Sequence, residues 1–552
     1  MSSPDRVDPP WWQEAVFYQV YPLSFGLADF AGRRERLGPQ HVRAGGEANR
    51  NRRAAERAGD LEGIRQRIEY LSWLGVDALW LSPTQPSPMA DFGYDVADYR
   101  DVDPLFGTLE DFDHLLADVH AAGMRLIVDL VPNHTSDRHP WFEEARHALT
   151  SPRRDWYYWR SGTPDTPPNN WRETFHAAPA WTWDPATGEW YLHLFLAQQP
   201  DLNWGNEEVG HEMEAVMGWW LDRGVDGFRI DVVHALGKDP ALPDAPPARA
   251  HIPWSGQNDY PSTHAILRRL RALCDERESE PVMVGEVFLL DTAKVATYYG
   301  AGDELHLGFN FPPMFCDFDA ACFRERIAEV EALLPTTGPG WPTWVLSSHD
   351  RPRARTRYGG SEARARCAAV LLLTLRGTAF LFAGEEIGLE DAAPEAEPLD
   401  PGGRDGCRAP IPWDGSHDHG WDLAGLEPWL PWPPDAANRN VAAQRADPDS
   451  ILHLYRRLLT ERRSSAALRR GTLELLESPP ETLAFLRRAG ADERMVVVNF
   501  GSSEQRVGQA EGRTVLVSTA YSSPSSSPSS SAAWPASDGT VAPESALVLG
   551  PM

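Results

Sequence analysis

The stretch GVDGFRIDVVHAL, residues 224–236, contains an apolar strand-like run that ends in an arginine and an aspartate. Arg229 and Asp231 are two positions apart, so in a β-strand their side chains lie on the same face. Charged side chains are seldom buried unless they are paired. The stretch therefore predicts a paired guanidinium and carboxylate at the carboxyl end of a strand. Similar apolar runs with polar ends recur along the chain.

Strand-like runs alternate with amphipathic helical runs from residue 15 to about residue 465. Helical periodicity is clear in residues 60–75 and 108–123, and the second helix opens with a Thr–Asp capping pattern. Repeated strand–helix units predict a parallel sheet with right-handed crossovers. With residues 304–311 as the sixth strand, we predict an α/β fold built on a closed (β/α)8 TIM barrel. The predicted strands are 15–22, 76–83, 124–132, 225–231, 281–287, 304–311, 343–350 and 378–386.

Two stretches interrupt this alternation. Residues 133–206 are rich in proline, tryptophan and aspartate and have no helical period, which predicts a domain inserted after the third strand. Residues 466–552 contain short alternating runs typical of a C-terminal antiparallel β-sandwich, with a low-complexity segment at 521–539 that predicts a mobile loop. The catalytic barrel is then residues 1–132 and 207–465.

Composition excludes several classes of partner. The chain has 552 residues and a net charge of −28, so it repels phosphate backbones and we expect no nucleic-acid partner. No apolar run is long enough to cross a membrane and no signal peptide is visible, so we expect a cytoplasmic protein. The five cysteines show no spacing pattern, and we expect neither a disulfide framework nor a zinc site. We expect a monomer or a homodimer.

The predicted barrel brings the polar ends of its strands together, because active sites of this fold form at the carboxyl ends. The carboxylates that end the fourth, fifth and seventh strands meet there with two histidines and an arginine, and they allow two interpretations: a metal site or glycoside chemistry. The metal-ligand patterns HxH and HExxH are absent from these strand ends. The residues at this rim are Asp91, Tyr94, Asp95, Asp129, Asn133, His134, Arg229, Asp231, Glu286, His349 and Asp350.

The arginine favours glycoside chemistry. A guanidinium on the same face keeps the carboxylate of Asp231 ionised and oriented, as a nucleophile requires. Neighbouring carboxylates would keep Glu286 protonated, as a proton donor requires. The pair therefore predicts a nucleophile and a general acid on opposite sides of a glycosidic bond.

Six motifs resemble those of the α-amylase family of retaining glycoside hydrolases, family 13. They occur in the family's order and cover residues 11 to about 465. Two of them, at 199–204 and 404–413, resemble the α-glucosidase and oligo-1,6-glucosidase form. The motifs are DLVPNH (129–134), QPDLNW (199–204), GFRIDVVHAL (227–236), GEVFLL (285–290), SSHD (347–350) and RDGCRAPIPW (404–413).

The resemblance implies a role for each site residue. Asp231 is the expected nucleophile, Glu286 the general acid and base, and Asp350 the stabiliser of the transition state. The remaining residues are expected to bind or orient the substrate, with an Asp–Arg pair closing the cavity over the non-reducing end. These substrate-binding residues are Asp91, Tyr94, His134, Arg229, His349 and Arg408. No cofactor and no metal are expected.

The expected activity is that of a retaining, exo-acting α-glucosidase on maltose-like oligosaccharides, mainly at α-1,4 links, with transglucosylation. Val232 follows the nucleophile, and in some relatives valine there accompanies α-1,6 specificity, so an oligo-1,6-glucosidase remains an alternative. A sugar isomerase such as trehalose synthase shares every catalytic residue. A non-catalytic family member would lack the acid pair and carry a membrane anchor, and neither departure is seen.

The stretch at residues 26–60 departs from the family. Related glucosidases carry a short loop there that can hold Ca²⁺ through clustered oxygens. This stretch has eight arginines and only Asp29 and Asp60 as aspartates. We therefore expect no Ca²⁺ site and a solvated, partly disordered loop.

Overall fold

The structure is a computed structural model that describes residues 9–28, 30–37, 47–252, 258–336, 338–393, 397–520 and 536–552. In these ranges, eight parallel strands form one sheet in the order β10-β11-β1-β2-β3-β7-β8-β9. The predicted TIM barrel is confirmed, and each predicted strand contains one observed strand. They are β1 (Val16–Val20), β2 (Ala78–Leu81), β3 (Arg125–Leu130), β7 (Gly227–Ile230), β8 (Val282–Gly285), β9 (Leu307–Gly308), β10 (Thr343–Val345) and β11 (Thr378–Phe382).

A side chain joins the two strands at the ends of this order. The hydroxyl of Thr343 on β10 donates to the carbonyl oxygen of Gly308 on β9 at 2.7 Å. The hydroxyl oxygen of Thr343 in turn accepts from the backbone N–H of Asn310 at 3.1 Å. Thr343 is completely buried, so these bonds are protected from water. They close the barrel where the sixth strand is only two residues long.

Glycine is required where the fourth barrel strand, β7, begins. Gly227 has a φ of 142°, which favours glycine, and it pairs with Val282 of β8. A Cβ atom there would lie 2.2 Å from the carbonyl oxygen of Val282. The absence of a side chain therefore lets β7 pair closely with β8, which carries Glu286 beyond its end.

The predicted helices are observed with small changes in their bounds. Residues 60–75 form two helices rather than one, because Gln66 and Arg67 interrupt them. The predicted capping box is present. The side chain of Thr108 accepts from the backbone N–H of Asp111, and the side chain of Asp111 accepts from the backbone N–H of Thr108. The helices are α1 (Trp11–Glu14), α2 (Pro22–Phe25), α3 (Phe30–Leu37), α4 (Glu47–Ala55), α5 (Leu61–Arg65), α6 (Ile68–Leu74), α7 (Leu109–Ala121), α8 (Pro140–His147), α9 (Glu207–Arg223), α10 (Ser262–Asp275), α11 (Thr292–Thr297), α12 (Ala320–Leu333), α13 (Ala354–Arg357), α14 (Glu362–Thr374), α15 (Val441–Ala446), α16 (Ile451–Ser464) and α17 (Ala466–Arg470).

Two antiparallel regions accompany the barrel. Between β3 and α9, the described chain forms α8 and a three-stranded sheet in the order β4-β6-β5. After α17 it forms a five-stranded sheet, β12-β13-β14-β18-β16, and a pair of strands, β15 and β17. The mobile loop expected at 521–539 lies mostly outside the described residues. The strands are β4 (Trp159–Ser161), β5 (Trp181–Asp184), β6 (Glu189–Leu192), β12 (Thr472–Leu476), β13 (Thr482–Ala489), β14 (Asp492–Asn499), β15 (Gln505–Arg506), β16 (Val515–Ser518), β17 (Thr540–Val541) and β18 (Ser545–Leu549).

The expectation of a solvated loop at residues 26–60 is wrong for its described part, which forms α3 and α4. Arg33 is completely buried and forms a 3.3 Å ion pair with Asp60. Its guanidinium also donates to carbonyl oxygens of the turn after α4, at 2.6 Å to Ala58 and 2.8 Å to Gly59. The arginine therefore folds the stretch onto the barrel. Asp29 lies outside the described residues, so the expected absence of Ca²⁺ stays a prediction.

The expectation about cysteines also needs a correction. Cys316 and Cys322 form a disulfide bond, with Cα atoms 5.9 Å apart. Cys316 precedes the turn that leads into α12, and Cys322 lies in the first turn of that helix. The spacing of the two cysteines in the sequence did not indicate the bond. Each helix in the described ranges is too short or too polar to span a lipid bilayer.

Candidate active site

A cavity of about 310 Å³ lies at the carboxyl ends of the barrel strands. Both carboxylates expected to react, Asp231 and Glu286, contribute to its lining. Two predicted residues, Arg229 and Arg408, lie behind this lining and are buried. The predicted residues that line the cavity are Asp91, Tyr94, His134, Asp231, Glu286, His349 and Asp350.

Arg229 lies at the centre of the charged network. Its Nη1 donates to Asp129 at 2.8 Å and to Asp231 at 2.7 Å, and its Nη2 donates to Glu286. Only 2% of its surface is exposed, so water does not screen these interactions. One guanidinium thus fixes the expected nucleophile and the expected acid side by side.

Asp231 and Glu286 share one partner, the guanidinium of Arg229. Burial raises the pKa of Asp231 well above its usual value; Arg229 opposes the shift and the charge of Glu286 adds to it. The expectation that Arg229 keeps Asp231 ionised is therefore incomplete, because burial opposes the ionisation that the guanidinium favours.

Backbone hydrogen bonds hold the ends of the strands that carry this pair. The N–H of Asp231 donates to Leu130 on β3, and the N–H of Glu286 donates to Ile230 on β7. Val232, the next residue, has a φ of 46°. A β-branched residue in this left-handed region costs about 1–3 kcal/mol. The turn after Asp231 is therefore strained, and it places Val232 in the cavity lining.

His349 is held as a neutral ring. Its Nδ1 lies 2.7 Å from the amide nitrogen of Gln19, a donor, so the ring proton is on Nε2. Nε2 lies 2.8 Å from the Tyr94 hydroxyl and 3.2 Å from Asp350. Burial lowers the pKa of His349 to about 3. The ring therefore presents a hydrogen-bond donor at neutral pH, stacked between Tyr94 and Tyr21.

Asp129 and His134, at the end of β3, have different surroundings. Asp129 accepts from Trp80 at 3.0 Å and Tyr94 at 3.1 Å, and burial raises its pKa to about 6. It therefore supports its neighbours from below the cavity. The ring of His134 lines the cavity, and burial lowers its pKa to about 4, which keeps it neutral.

The predicted Asp–Arg pair forms with a different arginine. Arg404, not Arg408, contacts Asp91, at 2.7 Å through Nη2. Its Nη1 donates to Asp350 at 2.8 Å, so one guanidinium bridges two carboxylates of the lining. Asp400 fixes the same guanidinium with bonds of 2.7 and 2.8 Å. Burial opposes ionisation of Asp350, but His349, Arg404 and Arg408 outweigh it and lower its pKa.

Arg408 lies one layer deeper and is completely buried. Its Nε donates to the backbone oxygen of His349 at 2.9 Å, and its Nη1 donates to Asp400 at 3.0 Å. Its Nη2 is 3.4 Å from Asp350. Arg408 thus supports the residues that line the cavity, whereas Arg404 lines it.

Sequence reasoning missed part of the lining. Arg404 was within a quoted motif, but nothing in the pattern distinguished it from Arg408. Two missed aromatic side chains, Phe175 and Phe195, come from the inserted region, which has no periodic signal, and Phe288 and Phe311 lie at the ends of predicted strands. The missed residues are Thr174, Phe175, Phe195, Phe288, Phe311, Ser348, Arg351, Gly402 and Arg404. Within the described ranges, no cluster of three or more histidine, cysteine or acidic residues could hold a metal ion.

Comparisons with known proteins find relatives over most of the chain. The family model for the alpha-amylase catalytic domain matches residues 19–471. The chain is 39% identical over 533 residues to a "Probable alpha-glucosidase" of Rhizobium meliloti (strain 1021), covering 90% of each chain. It is 35% identical over 539 residues to the oligo-1,6-glucosidase of Parageobacillus thermoglucosidasius, covering 89% of this chain and 90% of the relative.

Two solved structures are similar over almost the whole chain. The alpha-glucosyl transfer enzyme XgtA superposes with a TM-score of 0.84 at 35% identity, covering 99% of this chain and 100% of that one. The trehalulose synthase MutB from Pseudomonas mesoacidophila MX-45 superposes with a TM-score of 0.83 at 32% identity, with the same coverage. A family model matched over most of the sequence, on a TIM barrel that carries the expected carboxylates, shows that the chain belongs to the α-amylase family of glycoside hydrolases.

Proposed function

We propose that the protein is a retaining, exo-acting α-glucosidase that releases terminal glucose from maltose-like oligosaccharides. The observation that carries the proposal is that Asp231 and Glu286 are both hydrogen-bonded to the guanidinium of Arg229. A retaining pair is separated by about 5–5.5 Å, whereas an inverting pair leaves room for water at 6.5–9.5 Å. Two carboxyl groups held by the two terminal nitrogens of one guanidinium fit the shorter separation, which supports the retaining mechanism.

The first step transfers the glucosyl group to Asp231. Its carboxylate attacks C1 while the carboxyl group of Glu286 donates a proton to the glycosidic oxygen, so the C1–O bond breaks and the leaving sugar departs as an alcohol. In the second step Glu286 takes a proton from water, which attacks C1 and releases glucose and Asp231. A sugar hydroxyl in place of water gives transglucosylation.

The bridge from Asp91 through Arg404 to Asp350 supports exo action. It joins two parts of the lining with bonds of 2.7 and 2.8 Å and is itself fixed by Asp400. A longer chain extending beyond the terminal glucose would have to break these ion pairs. Short oligosaccharides bound by their non-reducing end therefore fit the site best.

Product analysis tests the proposal. The enzyme is incubated separately with maltose, isomaltose, trehalose and sucrose, and the products are quantified. Fastest glucose release from maltose, with α-glucose seen first by NMR, is the expected result. Faster turnover of isomaltose would instead identify an oligo-1,6-glucosidase, as in the relative from Parageobacillus. Trehalose from maltose, or isomerised products from sucrose, would identify an isomerase.

Two variants test the roles of the carboxylates. Asp231→Asn should lower turnover of p-nitrophenyl α-glucoside by at least about 10³-fold, because no nucleophile remains. Glu286→Gln should lose more activity on maltose than on the aryl glucoside, because nitrophenolate departs without a proton. Equal losses on both substrates for Glu286→Gln would contradict its role as the acid.

A further inference from the structure

Arg351 lines the catalytic cavity but has no role in the mechanism proposed above. It follows Asp350 directly in the chain. The three catalytic carboxylates already accept hydrogen bonds from other guanidinium groups, those of Arg229 and Arg404. Arg351 is therefore an additional positive charge in the lining of the same cavity.

The charge of Arg351 is not paired within the part of the chain that the structure describes. No described carboxylate lies within 4.0 Å of its guanidinium, and its side chain makes no hydrogen bond to a described residue. The side chain is partly exposed, so the cavity gives access to its N–H groups. Arginine carries five such donors, and here they are available to a ligand.

Two aromatic rings hold the guanidinium of Arg351 in position. Its Cζ atom lies 5.1 Å from the centre of the Phe288 ring and 4.9 Å from that of the Phe315 ring. A cation is attracted to a ring face within about 6 Å. The backbone is also fixed, because the N–H of Arg351 donates to the carbonyl oxygen of Ser348 at 3.4 Å. A ligand therefore meets a guanidinium that is already oriented, which lowers the entropic cost of binding.

Arg351 lies on the side of the cavity where the proposed mechanism places the leaving group. Glu286 gives its proton to the oxygen of that group, so the group lies beside Glu286. Phe288, which carries the guanidinium of Arg351 on its ring, follows Glu286 by two residues, and all three residues line the cavity. Phe315, on the other side of the guanidinium, is 47% exposed, which indicates the entrance. The terminal glucose lies at the opposite side, which the bridge of Arg404 closes.

We propose that Arg351 selects leaving groups and acceptors that carry a carboxylate, an inference that rests on the α-glucosidase function proposed above. A carboxylate is planar and accepts two parallel N–H bonds from one edge of a guanidinium. In transfer, the hydroxyl of a hydroxy acid or phenolic acid attacks C1 of the glucosyl ester. Glu286 takes the hydroxyl proton, and the bond from C1 to Asp231 breaks. The carboxylate of the acceptor stays unchanged on Arg351.

The test compares the α-glucosides of 4-hydroxybenzoate and 4-hydroxybenzamide, which differ in charge and hardly in shape. We would measure kcat/KM for glucose release by the full-length wild type, Arg351→Gln and Arg351→Lys. The control, Arg506→Gln, makes the same change in charge at a side chain that is 67% exposed on β15. Every enzyme is tested on both glucosides, so the difference in reactivity between the two phenols cancels when the enzymes are compared.

Arg351→Gln should lower the ratio of kcat/KM for the carboxylate to that for the carboxamide about fivefold, as for a partly exposed ion pair. Arg351→Lys should lower the ratio less, because lysine keeps the charge but not the planar edge. Arg506→Gln should match wild type. An unchanged ratio in Arg351→Gln, equal losses with glutamine and lysine, or the same loss in the control would overturn the proposal.

A binding measurement separates this inference from the proposed function, because it needs no turnover. Calorimetry in the presence of glucose should show that wild type binds 4-hydroxybenzoate more tightly than 4-hydroxybenzamide. Equal binding of the two compounds by wild type would overturn the inference, whereas the products from maltose, isomaltose and sucrose decide the proposed function. A thermal melt shows whether Arg351→Gln is folded. If it is not, Arg351→Lys and the wild-type binding preference decide by the same criteria.

Discussion

Arg404 and Arg408 are four residues apart and have different surroundings. Arg404 lines the cavity and bridges Asp91 and Asp350, whereas Arg408 is completely buried behind it. We expect Arg404→Gln to lower kcat/KM by about 10²-fold, because truncating one partner of a buried charge pair costs about 2–5 kcal/mol. Its Tm should fall less than that of Arg408→Gln, because 17% of the Arg404 side chain is exposed whereas Arg408 is completely buried. Kinetics on maltose and a thermal melt measure both effects.

Arg408→Gln should give the opposite balance. It removes bonds to Asp400 and to the backbone of His349, so its main effect should be a lower Tm. A variant of Arg408 with normal Tm and a greater loss of activity than Arg404→Gln would contradict this assignment.

His139 provides a prediction about pH. It is the N-cap of α8, where its Nδ1 accepts from the backbone of Trp141, and burial lowers its pKa to about 3. Between pH 6.5 and 3, the unfolded chain binds a proton at this residue and the folded protein does not. The contribution of neutral His139 to the free energy of unfolding is therefore complete above pH 6.5. It is lost as the pH falls, by about 1.4 kcal/mol per pH unit.

The change His139→Asn keeps a capping oxygen and removes the titrating group. The Tm of this variant should fall less than that of wild type between pH 6.5 and 5. The matched control is His147→Asn, an exposed position on the same helix, which should follow wild type. Parallel curves for all three proteins would refute the assignment.

At the residue scale, the sequence predicted the positions of those side chains that lie at the end of a barrel strand. Asp231 and Glu286 could be placed because period-two alternation and the direction of a barrel strand decide which side chains reach the rim. Arg404 could not be selected over Arg408, because both lie in an irregular segment whose path depends on tertiary contacts. The strained backbone of Val232 also left no local signal, since valine normally avoids that conformation.

At the scale of elements, closure of the barrel depends on Thr343. Replacing it with valine keeps the shape and removes the bonds to Gly308 and Asn310, leaving buried groups without partners. We expect a loss of about 1–3 kcal/mol in the free energy of unfolding. Thr297→Val, which removes one exposed bond on α11, is the control and should cost less. Urea unfolding measures both, and equal losses would contradict the role of Thr343.

The alternation of strands and helices was sufficient to predict the eight barrel strands. The short strand β9 was predicted only because the other seven strands needed one more to complete a barrel of eight. The alternation did not reveal the break between α5 and α6, because the apolar spacing of residues 60–75 continues through the interruption. The helices α3 and α4 were missed because Arg33 is buried by bonds to backbone oxygens, and an arginine-rich sequence otherwise indicates a solvated surface.

At the scale of the whole molecule, Arg487 of β13 links the C-terminal sheet to the barrel. It is completely buried and donates to Thr374, at the end of α14, at 2.5 Å and to Gly471 at 3.1 Å. We expect Arg487→Met to lower stability on the order of 3 kcal/mol, because buried carbonyl groups lose charged donors. The neighbouring exposed Arg488→Met is the control, and thermal melts compare them. A similar Tm for both would argue against this link.

The sequence indicated where the two antiparallel regions lie, because the alternation of strands and helices stops after the third strand and changes after residue 465. It did not indicate the contacts between the regions, because no local pattern shows that Arg487 meets the end of α14 or that α4 faces residues 427–431. Both depend on distant parts of the chain folding together.

The bridge made by Arg404 has a consequence for how substrates enter and products leave the cavity. It occupies one side of the catalytic cavity, so under the proposed mechanism the leaving sugar and the next molecule use the same entrance. The first product must depart before water or another sugar can approach the glucosyl ester. At high substrate concentration, sugar competes with water at that entrance. The ratio of transfer to hydrolysis should therefore rise with substrate concentration.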